Sequence, residues 1–576
     1  MGGRRELALA LFTLGLAVFV ALGYTGGGAR SLGSIGASYA SLGNHAKALS
    51  YYERQHAAMH ALGKRRGAAV ALINIGKAHH ELGDHAKARE FVRRGAEAAR
   101  ATRATPTYVT AQSALAKIYL AAGEPGRALA AAEAGLDAVE QMLGALGEEL
   151  GAAAREQHAD LYAIGALAAA RDEDLAKTLK FMESGRAGAL LDLLTQREDL
   201  RWKAETLSPE LRQLDLDAQG AQRAARRAYD KAATRGNRKA TRAAAKALDE
   251  ANDQVRAVTG RIQRELKQQA GLFYPRAETL DAIKGALRED QALVLYALCL
   301  DDALALVLGR DGHRVVALGK ADELTSACEA LDATSPDEDV KLALATLRKL
   351  LVEPLKLERA VKQVLLSPEG PLCYLPFSAL FDHPIAMTPS GTTHVLLLGE
   401  ERVPGQGVLA LGDPDYAGAS KGAQRIYFRG RTLSPLPATR TEIEKIGTKR
   451  LLGAEASEAG LREALPDAER WRAIHFACHG LVNTEKPMLS MLALSRSGED
   501  DGFLTAGEVL HSQMPADLAV LSACETAMGK IFRGEGIVGL TRSFMFAGAP
   551  RVICSLWKVD DVATSALMIK FYELWN

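Results

Sequence analysis

Trp471-Arg472-Ala473-Ile474-His475-Phe476-Ala477-Cys478-His479-Gly480 and Asp517-Leu518-Ala519-Val520-Leu521-Ser522-Ala523-Cys524-Glu525-Thr526 decide how this chain is read. Each is a short apolar run that stops at small residues. Each therefore predicts a buried strand with a reactive side chain at its end. The first run ends in His479-Gly480, the second in Cys524. A His and a Cys at the ends of neighbouring parallel strands can form a cysteine-nucleophile dyad, and ligand sites in open α/β sheets lie at such carboxyl ends.

The flanking sequence supports that sheet. Val408 to Pro414 is another buried strand running into a turn. Helices are expected over Thr439–Ile446, over Ser457–Leu465, from Thr505, over Gly536–Ala547 and from Asp561, with strands at Leu451-Leu452-Gly453 and Arg551–Trp557 between them. Strand and helix alternate, which implies a mainly parallel sheet covered on both faces. Upstream, Ala292–Leu300, Ala303–Leu308 and His313–Leu318 read as a β-meander, linked by Asp301-Asp302 and by a turn at Asp311-Gly312. Helices over 321–333 and 338–352 follow. A strand at Val364–Ser367 is then continued by Leu375-Pro376-Phe377.

The N-terminal part repeats with a period of 40. Tyr39-x-x-Leu42-Gly43-x-His45-Ala46-Lys47-Ala48 is followed by His79-x-x-Leu82-Gly83-Asp84-His85-Ala86-Lys87-Ala88, then by Tyr119-x-x-Ala122-Gly123-x-Pro125-Gly126-Arg127-Ala128. Each unit reads as helix, Gly stop, short turn, helix, because Gly takes a positive φ without strain at a helix end. Alanines allow close packing, and an aromatic of the second helix (Tyr52, Phe91) fills the groove. Stacked units of this kind make an α-solenoid with a concave face that can hold a peptide or partner helix. A looser helical pair is expected over Ala153–Leu194. The apolar run Leu7–Tyr24 has two readings: a helix of an incomplete repeat, in register with Gly63-centred sequence at the same shift of 40, or a membrane anchor preceded by Arg4-Arg5.

The bulk numbers exclude several function classes. Lys+Arg 71 against Asp+Glu 70 leaves the chain near neutrality, so it is no general polyanion binder. The basic run from Arg223 to Lys246 has Tyr229 as its only aromatic, and it reads as a solvated helical face; no nucleic acid is expected. Six cysteines without a CxxC pair suggest neither a disulfide framework nor a zinc knuckle and fit a reducing, cytoplasmic setting. His475, Cys478, His479 and Cys524 do not suit a metal, since adjacent strand residues point apart. No metal and no cofactor is expected. His475, four residues before His479, reads as a satisfied core histidine.

His-Phe-Ala-Cys-His-Gly at 475–480 and Leu-Ser-Ala-Cys-Glu-Thr at 521–526 resemble the two signatures of CHAT domains, which are caspase- and separase-like cysteine peptidases often fused to tetratricopeptide repeats. Gly412-Asp413-Pro414, Leu436-Pro437-Ala438-Thr439, Gly534-Glu535-Gly536 and Ser555 to Asp561 fit the same pattern, and the repeats are similar to tetratricopeptide repeats of the longer kind. The resemblance implies a repeat array over 1–150, a helical connector of long charged helices over 151–286 and a caspase-like α/β domain over 287–576. It also implies an endopeptidase with His479 as acid/base and Cys524 as nucleophile, with the backbone N–H groups of Gly480 and Cys524 holding the oxyanion. A protein or peptide substrate and a regulatory protein on the repeats are the expected partners. The strand ends suggest Asp413, Trp557 and Asp561 for the substrate pocket. The same residues also allow an inactive scaffold, with repeats for assembly and a caspase-like domain for docking. The family pattern continues with a further helix and an aromatic-rich strand, so a domain ending at Asn576 is expected to lack its last strand.

Overall fold

The computed structural model describes residues 11–15, 17, 25–143, 158–186, 209–234, 277–331, 337–399, 403–418, 423–424, 427–428, 431–483, 487–498, 500–523, 530–532, 536–556 and 559–575, with scattered positions between 240 and 261. Among the described residues no helix is long and apolar enough to cross a membrane. Most of Leu7–Tyr24 lies outside them.

The repeats fold as antiparallel helices in a stack: α1 (Thr25–Ser41), α2 (His45–Ala61), α3 (Arg65–Glu81), α4 (His85–Ala101), α5 (Thr105–Ala121) and α6 (Pro125–Leu143). The backbone period is 20, half the sequence period. Gly43, Gly63, Gly83 and Gly123 all take positive φ, and Arg103 holds the same left-handed turn at φ 52°. Each of α1 to α5 is 17 residues long, and a three-residue turn completes the unit. Helices approach closely where side chains are small. A Cβ at Gly36 would lie 2.7 Å from the Tyr52 ring, and one at Gly76 would lie 2.4 Å from Val92.

The looser pair is present as α7 (Ala159–Arg171) and α8 (Leu175–Ser184). It continues the stack and joins it to the next sheet. One apolar core runs from Ile73 through Leu136, Leu161 and Phe181 into Leu293, Leu306 and Leu365. Two buried charges lock the junction. Glu183 is fully buried and accepts hydrogen bonds from the backbone N–H groups of Gly391 (2.8 Å) and Thr392 (2.7 Å). Arg186 donates to the Ser367 carbonyl (2.8 Å) and to the Tyr296 carbonyl.

The first sheet contains β1 (Gln291–Cys299), β2 (Asp302–Gly309), β3 (His313–Lys320), β4 (Gln363–Ser367) and β5 (Ile385–Met387), in the order β3-β2-β1-β4-β5. The meander is antiparallel as expected, while β4 and β5 run parallel to β1. The hairpin turn sits one residue earlier than expected, on Leu300 and Asp301, with Leu300 at φ 59°. Asp302 belongs to the strand because Arg171 (2.8 Å) and Lys320 (2.7 Å) hold its carboxylate there. Leu375-Pro376-Phe377 does not continue β4. Gly370–Tyr374 is a 3-10 turn and Phe377–Leu380 a single helical turn, as Pro371 and Pro376 cannot donate to a ladder.

The second sheet is fully parallel: β6 (Gln406–Pro414), β7 (Lys449–Gly453), β8 (Trp471–Ala477), β12 (Ala516–Ser522) and β13 (Val552–Cys554), in the order β7-β6-β8-β12-β13. Helices cover both faces, so the strands are apolar throughout. After the helices α9 (Pro209–Thr234), α10 (Leu280–Ala286), α11 (Ala321–Glu329), α12 (Asp337–Leu351) and α13 (Gly391–Gly399) come those of this sheet: Ala473, Ala477 and Val520 face α14 (Pro437–Ile446) and α18 (Asp561–Trp575). Ile474, Phe476, Cys478 and Leu521 face α15 (Glu458–Ala464), α16 (Ala506–His511) and α17 (Leu540–Ala547). A small antiparallel sheet, β9 (His479–Leu481), β10 (Met491–Ala493) and β11 (Phe503–Thr505), continues from the end of β8. Gly536–Val538 is a strand rather than the start of a helix, and α17 begins at Leu540.

Candidate active site

β8 lies between β6 and β12, and Gly412, Ala477 and Ser522 share one rung of the ladder. His479 stands two residues past Ala477. In sequence, Cys524 stands two past Ser522. Cys524 and Trp557 lie outside the described residues.

His479 is half-buried, and among the described residues its ring has one polar contact: Nε2 lies 2.8 Å from the carbonyl oxygen of Ser434. A carbonyl only accepts, so Nε2 carries the proton and the Nδ1 lone pair is the basic site. The His479 backbone N–H donates to the Tyr416 hydroxyl (3.2 Å), which in turn donates to the Ala493 carbonyl (3.0 Å). The Tyr416 ring packs against the imidazole with centroids 5.3 Å apart. Burial raises the Tyr416 phenol well above its ordinary value, so it stays protonated as a donor.

The loop carrying Ser434 is tied down from two sides. Thr439 Oγ1 donates to the Leu436 carbonyl (2.6 Å) and accepts from the Asp413 N–H (2.8 Å). Asp561, the first residue of α18, accepts from the Ala438 N–H (3.1 Å), and Ser565 Oγ donates to the Ala438 carbonyl (3.1 Å). Burial raises the Asp561 carboxyl, and the nearby His479 opposes that shift. The Asp413 carboxylate is bound by Arg440, with Nε at 2.8 Å. Both acids expected at the pocket are thus engaged within the chain, where they position the loop that orients His479.

Gly480 pairs with Leu492 across β9 and β10 and is half-buried. His475 is fully buried, with Nε2 2.7 Å from Glu442 and Nδ1 3.2 Å from the Tyr572 hydroxyl. Cys478 is buried on the opposite side of the strand. Tyr416 and Ser434 were missed by sequence reasoning. Tyr416 carries a weak signal, since it closes the run Gly412-Asp413-Pro414-Asp415-Tyr416 at a strand end. Ser434 acts through its carbonyl, which every residue has.

Comparison with known proteins gives family matches over two parts of the chain. Residues 341–576 match the CHAT domain family, and residues 28–101 match a tetratricopeptide repeat family. The chain carries a CHAT domain and tetratricopeptide repeats. The first sheet of the structure begins at Gln291, ahead of the stretch matched to the CHAT domain. Tetratricopeptide repeat protein 28 of Homo sapiens is 29% identical over 177 residues, 24% of this chain, and its Mus musculus counterpart is 30% identical over 176. The match covers 7% of the length of either relative. Among solved structures, the Saccharomyces cerevisiae separase–securin complex has a TM-score of 0.35 at 9% identity, covering 99% of this chain and 59% of that one. A Podosopora anserina putative kinesin light chain with TPR-like repeats has a TM-score of 0.26 at 16% identity, covering 32% of this chain and 85% of that one.

Proposed function

We propose that the chain is a cysteine endopeptidase of the caspase and separase type, with His479 and Cys524 as its dyad and a repeat array that binds a regulatory or targeting protein. The observation that carries this reading is the His479 tautomer. Its proton is fixed on Nε2 by the Ser434 carbonyl, at the carboxyl end of a strand directly beside the one that leads to Cys524. His479 takes the Cys524 thiol proton at Nδ1, and the resulting thiolate attacks the scissile carbonyl carbon. His479 passes a proton to the departing amine as the C–N bond breaks, leaving a thioester. His479 then takes a proton from water, which attacks the thioester, releases the carboxylic acid and restores the thiol. The Gly480 and Cys524 N–H groups stabilise the oxyanion in both steps, and the lack of a Cβ at Gly480 leaves its amide accessible to substrate. Asp413, Trp557 and Asp561 border the substrate side chain. A reducing, cytoplasmic setting suits a thiolate nucleophile.

The test is a comparison of new protein N-termini in cells making the wild type, Cys524→Ala or His479→Ala. Cleavage should vanish in both variants while the repeats continue to capture their partner. Cleavage retained by Cys524→Ala would sink the dyad.

A further inference from the structure

We propose that a cationic pocket near the N-terminal end of the repeat array, between α1, α2 and α3, receives an acidic peptide segment of a partner protein. The proposal rests on reading the array as a protein-binding element and gives that partner its chemistry. The pocket has a volume of about 740 Å³, within the size range of natural ligand sites. Arg30, Lys64, Arg65 and Arg66 line it, and no acidic residue does among the described residues. Among the described residues Lys64, Arg65 and Arg66 have no carboxylate within ion-pair distance, and Arg66 is tied only to the Thr102 carbonyl (3.3 Å). From residue 25 to 82 the sequence holds seven Lys and Arg against two acids, Glu53 and Glu81, so this end is positive although the whole chain is near neutral.

The first turn of α3 opens on the pocket. α2 and α4 are capped by the side chains of Asn44 and Asp84, whereas Lys64 gives α3 no side-chain cap. The N–H groups and positive dipole end of a 17-residue helix therefore add to the cationic side chains.

A second, independent feature is Gln55. It lines the pocket, is 7% exposed, and its Oε1 has no hydrogen-bond partner among the described residues. One repeat later, at a shift of 40, the same position is Gly95, and Ile73 fills the space against it. In the first repeat the pair is inverted: Gln55 packs on Gly33. A buried amide oxygen left unpaired is destabilising. Its presence where the next repeat uses hydrocarbon points to an occupant with an N–H to donate. Met59 and Val70 supply an apolar wall. Carboxylates on the cations, a main-chain N–H on Gln55 and aliphatic contact on Met59 describe an extended acidic peptide. Nucleic acid fits less well, because no aromatic side chain among the described residues lines the pocket for base stacking.

The test is fluorescence anisotropy on the full-length chain with two fluorescein-labelled randomised peptide pools, one with Glu and one with Gln at alternate positions. The Glu pool should bind at least tenfold more tightly at low salt, and the gap should shrink at high salt. Lys64→Glu with Arg66→Glu should erase the preference, and Gln55→Leu should weaken binding about fivefold without lowering Tm. Equal binding of the two pools overturns the acidic ligand but leaves the array a peptide binder. Absence of binding by either pool removes both. Displacement of the Glu pool by a thymidine oligonucleotide at equal concentration overturns the choice of a peptide.

Discussion

Glu442 Oε1 stands 2.7 Å from Nε2 of His475, and neither side chain reaches solvent. His475 comes from the central strand β8 and Glu442 from α14. The hydroxyl of Tyr572, on α18, completes the set at 3.2 Å from Nδ1. Removing one member leaves the others buried and unpaired. His475→Ala should therefore cost about 3 kcal/mol of stability, and Tyr572→Phe about 1 kcal/mol. Urea unfolding measures both. A His475→Ala variant as stable as wild type would show that the trio holds nothing.

The turn at Arg103 has the opposite sign. Its backbone sits at φ 52°, where the equivalent turns carry Gly43, Gly63, Gly83 and Gly123. A side chain in this conformation costs about 1 kcal/mol. Arg103→Gly should stabilise the array by up to that amount, and Gly83→Ala should destabilise it similarly. Thermal melts of the three proteins should fall in that order, and an unstable Arg103→Gly variant would contradict it.

Glu458 gives a pH-dependent prediction. Burial, with Glu508, Asp501 and Asp500 adding to it, raises its carboxyl well above the ordinary value, against the pull of Arg462. The folded state prefers the protonated acid. Its stabilising contribution is therefore complete below the unfolded value of about 4.3 and is lost as pH rises through the folded value. Glu458→Gln removes that loss while keeping an acceptor for the Gly502 N–H, now 3.2 Å from Oε1. At pH 8 the variant should melt about 2 °C or more above wild type, and near pH 4 the two should coincide. A gap that widens toward acid would reverse the sign and refute the argument.

Three thiols should be silent. Burial pushes Cys328 up to about 11, and Cys373 and Cys554 up to about 12. Almost no thiolate exists at these sites at pH 8, so iodoacetamide should leave them unmodified under native conditions. Mass spectrometry of the tryptic digest checks each site. Rapid labelling of any of the three would overturn the burial argument.

Much of this was legible in the sequence, for identifiable reasons. β8 and β12 announce themselves because a strand covered on both faces must be apolar throughout. The helical repeat is visible because its turn chemistry recurs. His475 reads as a core residue, and Glu442 and Tyr572 satisfy it. Other features hide. Tyr416 reaches His479 across 63 positions of sequence, and Ser434 contributes a backbone carbonyl that no side chain advertises. The apolar residues at Leu375 suggest a strand, but Pro371 and Pro376 set a 3-10 turn before it and a single helical turn after it. Ile537 and Val538 merge in sequence with the apolar run of the helix that follows, although β-branched residues favour the strand they form.

The unbroken core from Ile73 to Leu365, pinned by Glu183 and Arg186, has a mechanical corollary. A solenoid joined to a sheet by loose linker can swing without disturbing it. Here the last helices of the stack and the first sheet share side chains, so there is no slack at the joint. A force that bends the array would reach β1 and β4 as stress.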